Sequence, residues 1–130
     1  MLCTALLAAA VLSQPAAERP PVDRQDVLRL TDHDYSAALA AAPLLLVKFC
    51  ARWKRSCKLL DTEYREAAQI LARRGHTGLL AEVDVSEEMY TAQEARIVSY
   101  PTVKVFRRGR LADTFAGEYT ADAIATYAQQ

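Results

Sequence analysis

The sequence has no asparagine anywhere in its 130 residues, so it offers no N-glycosylation acceptor. Its three cysteines, Cys3, Cys50 and Cys57, are too few for a disulfide framework. The two histidines, His33 and His76, have no companions at metal-ligand spacing and read as surface or loop residues. With no zinc, phosphate-loop or nucleotide motif either, neither a metal nor a cofactor is expected. Charge of one sign is also missing. Sixteen basic residues balance sixteen acidic ones, which excludes a global field drawing the chain to nucleic acid or anionic membrane. Near the amino terminus the apolar run Leu6–Leu12 is far shorter than the roughly 20 residues needed to cross a bilayer.

What is present suits one globular domain: 52% hydrophobic and 25% charged residues in a length that supports one core and not two. Residues 1–17, an apolar stretch followed by small residues and Pro15 before Glu18-Arg19, read as a signal peptide cleaved somewhere from Ser13 to Ala17. No membrane span is then expected after cleavage. Loss of Cys3 leaves Cys50 and Cys57 in an oxidising compartment, either the endoplasmic reticulum lumen or the exterior. No Lys-Asp-Glu-Leu-type tetrapeptide follows Tyr127, so retention calls for a partner or an extension. Pro15, Pro20 and Pro21 mark a polar, core-free stretch that places a linker at 18–25, ahead of a domain at 26–130.

Along that domain, Val27–Leu30 reads as a short strand, and Thr31-Asp32 as the N-cap of a small helix from Tyr35 to Ala41. Leu44–Val47 is a continuous apolar run of the kind found in central parallel strands buried on both faces. From Lys54 to Arg74 the spacing of Leu60, Tyr64, Ala67 and Leu71 predicts a helix ended by Gly75. Leu79–Val85 reads as a strand and Ser86–Ala95 as a helix begun by Ser86. A hairpin of Thr102–Phe106 and Leu111–Phe115 precedes a closing helix from Thr120 to Ala128. This order argues for an α/β domain with a mixed central β-sheet flanked by helices on both faces. Sites in such sheets form beyond the carboxyl ends of parallel strands, which directs attention to Cys50–Cys57.

That segment, Lys48-Phe49-Cys50-Ala51-Arg52-Trp53-Lys54-Arg55-Ser56-Cys57-Lys58, resembles the protein disulfide isomerase stretch in which Ala-Pro-Trp precedes Cys-Gly-His-Cys-Lys. Trp53, Cys57 and Lys58 fall in matching places. Ser99-Tyr100-Pro101-Thr102-Val103-Lys104-Val105-Phe106 resembles the same family's Tyr-Pro-Thr segment, whose proline is cis and lies against the active site. With Val27–Thr31, Val83-Asp84 and Gly117, the resemblance covers roughly Asp26 to Gln130. It implies a thioredoxin-like fold.

The departures concern chemistry. Disulfide exchange needs an attacking thiolate and a second thiol three residues on. In the resemblance, Lys54 stands in place of the attacking cysteine, Lys48 in place of a proton-relay glutamate, and Tyr119 in place of a mobile arginine. A lysine cannot accept the proton a carboxylate would. Dithiol oxidoreductase activity is therefore expected to be lost. The expected function is a protein disulfide isomerase-like module that assists folding in the secretory pathway by binding unfolded, client or partner chains through Trp53, Lys54, Arg55, Tyr100 and Pro101. The alternative is a single-thiol oxidoreductase or isomerase with Cys57 as its residual catalytic residue. Lys48, Arg52, Lys54, Arg55 and Lys58 gather near a helix start, where they favour a thiolate or bind an anion, or else form a solvated basic face. Cys50 is read as a small buried hydrophobe; a bridge to Cys57 is the other possibility and needs α-carbons within about 7 Å.

Overall fold

The computed structural model describes residues 27–130; the expected signal peptide, the linker and Cys3 lie outside the described residues. Five strands form one sheet in the order β1-β3-β2-β4-β5, made of β1 (Val27–Arg29), β2 (Leu44–Cys50), β3 (Leu80–Asp84), β4 (Thr102–Arg107) and β5 (Arg110–Thr114). β1, β3 and β2 run parallel, while β4 and β5 are antiparallel additions. The helices are α1 (Tyr35–Ala41), α2 (Arg55–Arg73), α3 (Met89–Glu94) and α4 (Ala121–Ala128). The mixed sheet and flanking helices expected from the sequence are therefore present, with β2 at the centre.

Strand β2 explains the layering. Successive side chains point to opposite faces, and both faces are covered. Leu45, Val47 and Phe49 join Tyr35, Leu39, Val83 and Phe106 in the core under α1. Leu46 and Cys50 join Leu60, Tyr64, Leu71, Val103 and Ile124 in the core under α2 and α4. Each buried Leu or Phe contributes about 1.5–3 kcal/mol relative to exposure, so this strand anchors both layers. Lys48 lies between Leu46 and Cys50 on the α2 face and is only 3% exposed. A charge there demands partners.

Several local signals act differently from expectation. Asp32 does not cap α1; its Oδ1 accepts from the backbone N–H and hydroxyl of Thr91, at 2.8 and 2.7 Å. Asp34 precedes α1 instead, and its Oδ1 accepts from the Thr31 N–H at 2.6 Å. The buried Thr91 needs an acceptor, and Asp32 meets that need across the fold. Likewise Ser86 starts no helix. Asp84 holds it in a turn through its N–H at 2.9 Å, and Glu87 and Glu88 donate to the Asp84 carbonyl, so α3 begins only at Met89. Gly75, at φ 83°, ends α2 as expected, with the His76 N–H returning to the Leu71 carbonyl at 2.8 Å.

Candidate functional site

The carboxyl end of β2 leads through a tight turn, in which the Lys54 N–H donates to the Ala51 carbonyl at 3.1 Å, into the first turn of α2. The start of α2 therefore has two sides.

The front holds the residues expected to bind partners. Trp53 projects from the turn, 65% exposed, and meets Tyr100 edge-on with ring centroids 6.3 Å apart. The Tyr100-Pro101 peptide bond is cis. Lys54 Nζ donates to the Tyr100 carbonyl at 2.6 Å and lies 4.7 Å from the centre of the Tyr100 ring, a cation–π arrangement. Tyr119 closes this side, stacked on Phe115 at 6.0 Å and donating to the Pro101 carbonyl at 3.5 Å. Arg55, the first residue of α2, is exposed. Trp53, Lys54, Tyr100 and Pro101 thus form one connected surface, and Arg55 flanks it.

The back corrects two expectations. Cys50 and Cys57 are bonded to each other, with α-carbons 5.6 Å apart, so Cys50 is more than a small hydrophobe. The bridge ties the end of β2 to the first turn of α2, and both residues are buried, at 6% and 4% exposure. Cys57 accordingly has no free thiol here, and the single-thiol reading has no nucleophile unless the bridge first opens.

The basic cluster is also dispersed: carboxylates hold Lys48 and Arg52, Lys54 turns to the Tyr100 carbonyl, and Arg55 and Lys58 form no ion pair among the described residues. Lys48 Nζ donates to Asp61 at 2.8 Å and pairs with Glu82 at 3.1 Å, with the Tyr64 ring 5.2 Å away. The Tyr64 hydroxyl itself donates to the Leu46 and Ala81 carbonyls. Arg52 pairs with Asp84 at 3.2 Å and with Glu87. Burial works to raise the Asp84 pKa, but hydrogen bonds from Ser86 and the Arg52 guanidinium outweigh it and hold the carboxyl below its usual 3.8. Lys58 is exposed and forms no ion pair among the described residues. Between these groups lies a cavity of about 210 Å³ that reaches Cys50 and Cys57 and is bordered by Lys48, Lys58, Asp61 and Glu82. Among the described residues no three His, Cys, Asp or Glu side chains converge as metal ligands, and no helix is long and apolar enough to cross a membrane.

A five-stranded mixed sheet, a helix starting beyond its central parallel strand and a cis-proline facing that start together define the class: the chain belongs to the thioredoxin family, which residues 26–130 match. Within that class its similarities are to protein disulfide isomerases. It is 41% identical over 121 residues to protein disulfide-isomerase of Gallus gallus, covering 93% of this chain and 22% of that one. To the probable protein disulfide-isomerase ER-60 of Schistosoma mansoni it is 37% identical over 101 residues, 78% of this chain and 21% of that one. Among solved structures, the zinc-bound form of human ERp44 superposes with a TM-score of 0.74 at 28% identity, covering 79% of this chain and 30% of that one. The first thioredoxin domain of mouse protein disulfide-isomerase A4 gives 0.70 at 25% identity, covering 81% and 74%. The chain spans a quarter or less of the length of the curated relatives it matches.

Proposed function

We propose that this chain is a protein disulfide isomerase-like thioredoxin domain of the endoplasmic reticulum lumen that binds unfolded client or partner chains and has lost dithiol exchange with them. The observation that carries this reading is the placement of Lys54. It occupies the position three residues before Cys57, and its ammonium group rests on the Tyr100 carbonyl and ring. A lysine there offers no sulfur to a client disulfide. The recognition surface beside it persists: an exposed indole, a tyrosine ring and a proline, the kind of rigid amphipathic group that dominates binding energy. Similarity to disulfide isomerases supports the compartment and the partner class.

Trp53 is the sole tryptophan, so emission excited selectively from tryptophan reports on this surface, provided the client has none. Titration with a cysteine-free, permanently unfolded client is expected to shift Trp53 emission to the blue, and unchanged emission at saturating client overturns the binding half. In an insulin-reduction assay with dithiothreitol, the wild type is expected to match buffer. A rate above buffer overturns the loss of exchange.

A further inference from the structure

We propose that the Cys50–Cys57 bridge is a thiol-exchange site for low-molecular-weight thiols that carry carboxylates, entered through the charged cavity behind α2. Three observations converge. The bridge is closed to the client side: the cavity that reaches both cysteines is not lined by Trp53, Tyr100 or Pro101, and on that side Lys54 sits on the Tyr100 carbonyl. A space of about 210 Å³ is large enough to admit a small molecule. Beside Cys57 at the edge of that space stands Lys58, whose charge has no carboxylate partner among the described residues, whereas Lys48, Arg29, Arg52 and Arg65 on the same lining are each paired with Asp61, Glu82 or Asp84. Lys58 is therefore the cation left to meet a carboxylate on an entering thiol.

The direction of the exchange follows from position. Cys57 lies in the first turn of a 19-residue helix, where unpaired N–H groups favour negative charge, while Cys50 ends a strand. The better leaving thiolate departs faster. The incoming thiolate attacks the Cys50 sulfur, forming a mixed disulfide with it, and the electron pair of the old bond leaves on Cys57. A second thiolate then attacks the small-molecule sulfur of the mixed disulfide, releasing Cys50 as a thiolate. Two small thiolates have become one small disulfide, and the protein bridge has gained two electrons. This goes beyond the client-binding reading and does not depend on it, because client binding is read from Trp53 emission and bridge opening from mass.

The test incubates the folded full chain with glutathione or with uncharged 2-mercaptoethanol, each at about 10 mM and poised with its own disulfide near the glutathione-pool potential that structural bridges resist. Acid quenching, alkylation and peptide mass mapping follow. The expected result is a glutathione adduct on Cys50 ahead of two free thiols. With Lys58→Gln the glutathione rate should fall by about fivefold while the 2-mercaptoethanol rate stays the same. A bridge that stays closed in glutathione makes it a structural staple and overturns the proposal. So does an adduct on Cys57, or a Lys58→Gln effect equal for both thiols.

Discussion

On the front of the α2 start, Trp53 and Arg55 are exposed, while Lys54, Tyr100, Pro101 and Tyr119 are half-buried and interact through rings, a carbonyl and one ammonium group. On the back, a few ångströms of chain away, Lys48 and the Cys50–Cys57 bridge are buried between sheet and helix, with the half-buried Asp61 and Glu82 paired to Lys48. The front leaves the Trp53 indole exposed while Tyr100 and Tyr119 rest against the core. The back carries a buried charge and a covalent link, each of which has energetic consequences for the whole domain. The proposed contact surface and the buried charge with its bridge thus lie on different sides of one helix terminus.

The sharpest way to break this contrast is on the back. Asp61→Ala combined with Glu82→Ala strands the Lys48 ammonium without a partner, and loss of partners around a buried charge costs about 3–5 kcal/mol. Urea unfolding should show that loss. Adding Lys48→Met should recover most of it, since a hydrophobe of similar length tolerates the site; a double variant within 1 kcal/mol of wild type, on the order of a surface change, refutes the role of charge. Next, Cys50→Ala with Cys57→Ala should cost about 2.5 kcal/mol, the loop-closure entropy of a short ring, again by urea unfolding under oxidising conditions.

Asp84 joins the two sides, since its Arg52 partner belongs to the front turn. Its folded pKa lies below 3.8, so its stabilisation is present above that pH and is lost as the pH falls through the lower folded value. Asp84→Asn should therefore be less stable than wild type at neutral pH by under about 1 kcal/mol, given the exposure of Arg52. That gap should close below the ordinary carboxylate range in a pH series of thermal melts. The smallest expected change in stability is on the front: Trp53→Ala stays within about 0.5 kcal/mol of wild type. By anisotropy of a labelled unfolded client, the same substitution should nevertheless weaken binding by about tenfold, the loss of an aromatic anchor.

The periodic parts of the fold were legible in the sequence because they depend on near neighbours. The apolar run after Pro43, the three-and-four spacing of Leu60 to Leu71, and the Arg108-Gly109 turn, with φ of 53° and 80°, all reappear as elements. What was misread depends on distant partners. Asp32 looks like a cap until Thr91 lies beside it, and Ser86 looks like a helix start until Asp84 claims it. The front surface was legible through the Trp53 and Tyr100-Pro101 motifs. The back was not, because spacing along the chain does not set the distance between a strand end and a helix start. One signal was available: a lysine inside a run as apolar as Leu44–Cys50 must find carboxylates, and Asp61 and Glu82 are the ones that answer.

The bridge has a consequence for the front as well. With seven positions separating its cysteines, it makes residues 50–57 a covalent macrocycle, and Arg52, Trp53, Lys54 and Arg55 are all members of that ring. For the proposed client binding, a cyclised loop loses conformational freedom when the ring closes and not when the partner arrives, so more of the contact energy remains for affinity. The backbone that carries Trp53 is thereby restrained by a bond made on the far side of the helix.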